Sequence, residues 1–123
     1  MLSPLAYGLA VVISLLLVVI GARFLLQPEA AAAGYGVPAK PDGDRAYLTV
    51  KGLRDLTYGL LGLALIGFAT PTAVAWYMLL GALEPLGDTV IVLRHGGTKA
   101  AAFGIHFATA VVVLLDAVLL FAL

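Results

Sequence analysis

The sequence predicts an all-α membrane protein, a four-transmembrane-helix up-and-down bundle whose third helix is kinked at Pro85. Three features point there. Of 123 residues 63% are hydrophobic and 11% charged, with a mean hydropathy of +1.09, more apolar than a domain with a water-facing surface. The apolar residues fall in runs of about 20, which at ~1.5 Å per residue match the ~30 Å hydrocarbon layer. Between the runs stand clusters of Pro, Gly, Asp and Thr that read as turns. Residues 1–123 read as a single integral membrane domain.

Helix one is expected over residues 5–26, apolar apart from Tyr7, Ser14 and Arg23. A cleaved signal peptide competes with it, because Ala30 to Ala33 resemble a small-residue cleavage site. Against that, no Lys or Arg precedes Leu5, and the run exceeds the ~7 to 15 residues of a signal core. Residues 27–45 form a polar connection rich in Pro and Gly, with the Asp42-Gly43-Asp44 turn signal near its end. Within it, Pro28-Glu29 and the alanines that follow predict one or two helical turns at the interface, since Pro suits the first helical position.

Helix two is expected over residues 46–69, with Lys51, Arg54 and Asp55 in its first half and Gly59, Gly62 and Gly67 in its second. Thr70-Pro71-Thr72 marks a tight turn. Helix three, residues 73–94, is interrupted by Glu84-Pro85. Pro85 offers no N–H to the carbonyl of Gly81, so a kink or an open acceptor is expected there. His95-Gly96-Gly97-Thr98 ends it, and Thr98 is placed to cap helix four, residues 98–123. Gly52, Gly59, Gly62, Gly81 and Gly104 read as close-packing positions between helices. Trp76 and Tyr77 read as interfacial anchors.

Composition excludes several functions. Cysteine is absent, so there is no disulfide framework and no thiol chemistry, and two His leave a zinc site to be built largely from carboxylates. No metal and no cofactor are expected. A net charge of zero argues against nucleic acid as a partner; the lipid bilayer is the partner expected. Lys40 and Arg45 lie in the first loop, Arg23, Lys51 and Arg54 on the helix ends beside it, and Arg94 and Lys99 around the third connection. All Lys and Arg thus fall on one side. The positive-inside rule puts loops 27–45 and 95–98 in the cytoplasm and both termini outside, as in a bacterial cytoplasmic membrane.

An ionisable side chain inside a membrane span is costly unless it pairs or faces a polar cavity. Counting ~1.5 Å per residue from the cytoplasmic ends puts Arg54, Asp55, Asp88 and His106 about 9 to 14 Å deep and Glu84 slightly deeper. They are expected to form one layer, in which helices two, three and four converge on a shared polar pocket. Lys51 and Asp55, and Arg54 and Tyr58, are i, i+4 neighbours. Gly81, Glu84 and Asp88 share a helix face, as do His106, Thr109, Val113 and Asp116. Glu84 and Asp88 are the candidate acid and base, oriented by Arg54 and Asp55, with His106 as a proton relay. Tyr58, Thr109, Asp116 and Tyr7 are candidate substrate-binding groups. Tyr7 is the expected companion of Asp116 in the outer half. The structural alternatives are an Arg54 bridge to Glu84 or Asp88 that only fixes packing, a snorkelling Lys51, a His106 bonded to a backbone carbonyl or carboxylate, and an Asp116 exposed to water at a helix end.

Gly21-Ala22-Arg23-Phe24-Leu25-Leu26-Gln27-Pro28, Gly34-Tyr35-Gly36-Val37-Pro38, Ala46-Tyr47-Leu48-Thr49-Val50-Lys51-Gly52-Leu53-Arg54-Asp55 and Glu84-Pro85-Leu86-Gly87-Asp88 resemble a bacterial and fungal family of small four-helix membrane proteins. That family is catalogued as domain of unknown function 4267. The resemblance covers nearly the whole chain and implies four spans in one domain. It brings no substrate or catalytic residues.

Three functions are compatible with these features. The first is an intramembrane site for an apolar or lipid-like small molecule, with acid/base chemistry of an isomerase or cyclase type. The second is a proton-coupled small transporter acting as a homodimer, although no inverted repeat is visible. The third is a non-catalytic accessory subunit that packs into a membrane complex through its glycines.

Overall fold

The computed structural model describes residues 2–40 and 43–123. Pro41 and Asp42, the latter being the start of the expected Asp42-Gly43-Asp44 turn, lie outside the described residues. Among these residues the chain is all helix and connection, without a strand. Helix α1 spans Leu2–Leu26 and takes in Pro4, because the first helical turn has no need of the N–H that proline lacks. Helix α2, Pro28–Tyr35, gives the connection the expected short helix, with Pro28 at its start. Gly36 ends it at φ 108, where its N–H reaches the carbonyls of Ala32 and Ala33 and the Val37 N–H follows to Ala32. A residue with a Cβ adopts that left-handed backbone only under strain.

Helix α3 covers Arg45–Phe68. Thr70 then caps α4, Pro71–Gly81, its hydroxyl accepting from the Ala73 N–H at 3.1 Å. Helix α5 covers Leu83–Arg94, so the break falls at Ala82, three residues before Pro85. Backbone bonding resumes with the Leu86 N–H on the Ala82 carbonyl at 3.1 Å. Thr98 caps the last segment, accepting from the Ala101 N–H at 3.0 Å. That segment begins as α6, Lys99–Ala101, widens into a π-helical stretch, Ala102–Phe107, and returns to α-helix as α7, Ala108–Phe121. Three segments, Leu2–Leu26, Pro71–Arg94 and Lys99–Phe121, are long and apolar enough to cross a membrane. Helix α3 is as long as these but carries Lys51, Arg54 and Asp55.

Glycine decides how α1 and α3 meet. A Cβ on Gly52 would stand 2.8 Å from the Gly21 carbonyl oxygen and 2.9 Å from the Leu25 nitrogen, and one on Gly59 2.7 Å from the Ser14 carbonyl oxygen. Positions falling along α1 thus meet positions rising along α3, and the helices run antiparallel with their backbones in contact. Gly62, against Ser14 and Tyr77, continues the seam. The close-packing role expected of Gly81 and Gly104 is not found, since nothing lies within 4 Å of a Cβ at either. Both sit on helix faces turned from their neighbours. The main apolar core lies between α1, α4 and α7, where Ala6, Ala10, Val74, Met78, Val113 and Leu120 are buried together.

Candidate functional site

The charged groups expected in one layer divide between two places. The first is a polar cluster where α2, α3, α5 and the π-helical stretch meet. Tyr35, the last residue of α2, donates its phenol proton to Asp88 Oδ1 at 2.6 Å. Its backbone carbonyl accepts from His106 Nε2 at 2.6 Å. A carbonyl only accepts, so the His106 proton is on Nε2, leaving Nδ1 3.8 Å from Asp88 Oδ2. The Tyr35 and His106 rings lie 4.4 Å apart. On α3, Lys51 binds Asp55 at 2.7 Å, and its ammonium also sits over the rings of Phe24 at 4.8 Å and Tyr35 at 5.3 Å. Asp55 and His106 are 6% and 7% exposed. Burial and then the Asp88 carboxylate push the Tyr35 phenol well above its ordinary range, which keeps it a donor.

The second place is a cleft of about 350 Å³ between α1, α3, α4, α5 and α7. Its walls are aliphatic, among them Ile13, Leu17, Met78 and Val113, and Glu84 is its one charged residue. Three further polar side chains reach it, those of Tyr58, Tyr77 and Thr109. The Tyr77 hydroxyl is committed to the Tyr58 carbonyl and the Thr109 hydroxyl to the Ile105 carbonyl. Glu84 has no hydrogen-bond or ion-pair partner among the described residues.

Several expected pairings are absent among the described residues. Arg54 is exposed and bridges neither Glu84 nor Asp88; it follows Leu53 on the outer face of α3, about 100° round the helix from Asp55. Lys51 is not a snorkelling anchor, because Asp55 and two aromatic rings hold it inside. His106 does bond a backbone carbonyl. Asp116 is fully buried rather than at a wet helix end, and neither of its oxygens finds a partner. Tyr7, its expected companion, packs against the apolar core. The Ser14 hydroxyl is similarly buried and unpartnered. Trp76 is exposed and meets Phe121 edge-on, whereas Tyr77 turns inward instead of anchoring an interface.

Tyr35, Phe24 and Tyr77 were not legible as site residues. The available signal for Tyr35 was its place between Gly34 and Gly36 at the end of an alanine-rich helix, where glycines let a large ring fold back onto the bundle. Among the described residues no group of three or more His, Asp or Glu could hold a metal ion.

No curated protein and no solved structure matches this chain. The family model described as Domain of unknown function (DUF4267) matches residues 14–120, a stretch that holds the polar cluster, the seam between α1 and α3 and nearly all of the cleft. The chain belongs to the DUF4267 family.

Proposed function

We propose that this protein is a four-span helical membrane protein, with α3 as the fourth span and the third bent near Pro85, and that it binds an apolar, lipid-like small molecule in the cleft beside Glu84. One observation carries this reading: an aliphatic cleft of about 350 Å³ contains a carboxyl group without a protein partner among the described residues. Small-molecule sites have volumes of roughly 300 to 1,000 Å³, apolar walls and a few polar groups that fix orientation. A carboxyl facing hydrocarbon needs a polar partner, and a ligand hydroxyl would provide one. The charge distribution favours both termini outside, with the polar cluster in the cytoplasmic half.

Binding is better supported than two-carboxyl catalysis. Asp88 is held by Tyr35 and faces His106, so Glu84 with the Tyr58 phenol is what remains for chemistry in the cleft. Native mass spectrometry of the detergent-purified protein tests the proposal. The parent is expected to carry a lipid-sized adduct that is lost in Leu17→Trp, which fills the cleft. Identical spectra for the two would overturn it.

A further inference from the structure

A second cavity of about 220 Å³ lies next to the cleft, and Ile20 lines both. Arg23, Phe24, Tyr35 and His106 contribute to it. On α1 the residues facing the two cavities are Ile13, Leu16, Leu17, Ile20, Arg23 and Phe24, a spacing of i, i+3, i+4, i+7, i+10 and i+11 that lies on one helix face. Val113 and Thr109 face the cleft from α7, and His106 and Ile105 face the second cavity below them. The two cavities therefore form one groove between the first and last long helices. From Ile13 to Arg23 it runs about 15 Å, half the ~30 Å hydrocarbon layer and so the depth of one leaflet.

The groove has a polarity. Its deep part is aliphatic, and its end carries the Arg23 guanidinium, which makes no ion pair among the described residues. The other polar groups at that end are engaged, Tyr35 with Asp88 and His106 with the Tyr35 carbonyl. Glu84 precedes Asp88 by one helical turn, about 6 Å, so it stands near the junction of the two cavities and not at the deep end.

Resting on the proposed cleft function, we infer that the groove is a site for an anionic single-chain glycerophospholipid. Its acyl chain lies along Leu17 and Ile13, its free glycerol hydroxyl donates to Glu84, and its phosphate is held by Arg23. Arginine suits phosphate because its planar fork presents paired donors. The one-leaflet length favours a membrane lipid over a soluble phosphate.

Titrating lysophosphatidylglycerol, lysophosphatidylcholine and monoacylglycerol onto the detergent-purified protein, with native mass spectrometry as readout, tests this. The parent should hold lysophosphatidylglycerol about tenfold more tightly than lysophosphatidylcholine, the gain of one charge-assisted contact. Arg23→Gln should abolish that preference and Arg23→Lys should keep part of it. Monoacylglycerol should bind the parent and Arg23→Gln equally, and Leu17→Trp not at all. Monoacylglycerol binding without any head-group preference would overturn the anionic assignment and leave the cleft function standing. No binding of any of the three lipids would overturn both.

Discussion

Asp88 and Glu84 stand one turn apart on α5, yet their surroundings differ in kind. Asp88 belongs to a knot in which Tyr35 ties α2 to α5 and His106 ties the C-terminal segment to both. Glu84 faces an aliphatic cleft. The comparison teaches that depth alone does not separate a fastening from a site. What separates them is whether neighbouring elements bring a partner to the carboxyl. Tyr35 reaches Asp88 only because Gly36 ends α2 and the connection folds back under the bundle.

Substitutions at four positions should sharpen this contrast. The largest effect is expected for Asp88→Leu, which leaves the buried Tyr35 phenol without its acceptor and removes the carboxylate facing His106. Breaking such a network costs about 2 to 4 kcal/mol, read as a fall in the thermal midpoint in detergent. Tyr35→Phe should cost about 1 to 2 kcal/mol, the range for removing one partner of a buried bond. It should also change the alkaline limb of stability. The Tyr35 phenol is raised above the ordinary value of 10.0 in the folded protein, so its contribution is complete below pH 10 and lost as pH rises further. The parent should therefore lose stability above pH 10 more steeply than Tyr35→Phe, and parallel curves would contradict the assigned bond.

Asp116→Val should act in the opposite direction. It removes a fully buried carboxyl without a partner, and a gain of about 1 kcal/mol is expected from the relieved desolvation. A loss of stability there would mean that Asp116 has a partner in the membrane. Glu84→Gln should alter stability least, within about 0.5 kcal/mol, as for a group outside any network. Monoacylglycerol affinity in the same variant should fall about tenfold, the scale of one hydrogen bond to a charged group. If stability falls instead and affinity holds, Glu84 is a fastening like Asp88.

Much of the helical layout was legible because it is local. Apolar runs mark the long helices, Thr70 and Thr98 cap where a hydroxyl precedes a helix, and Pro28 opens α2. The glycines of α3 announced a close approach, which their Cβ clearances bear out at Gly52, Gly59 and Gly62. Counting residues gives a side chain's height in the bundle but not its direction. That is why Asp55 and His106 arrive together as expected while Arg54, at the same height, points away. The role of Tyr35 was illegible because it depends on where a polar connection returns after leaving the bundle, which no helical period encodes. The burial of Asp116 is likewise set by the packing of α1, α4 and α7 around it.

The π-helical stretch at Ala102–Phe107 has an evolutionary consequence. A wide turn holds an extra residue relative to an α-helix, so it acts as a phase shifter between Thr98, which caps the segment, and the face that α7 presents to the core. Deleting one residue there would restore a regular α-helix and rotate Ala108–Phe121 by about 100° relative to the cap, carrying Val113 and Leu120 out of the core. Length variation in this segment should therefore be far less tolerated than side-chain variation. Related chains should differ there by substitution, and insertions or deletions should collect in the connection before α3.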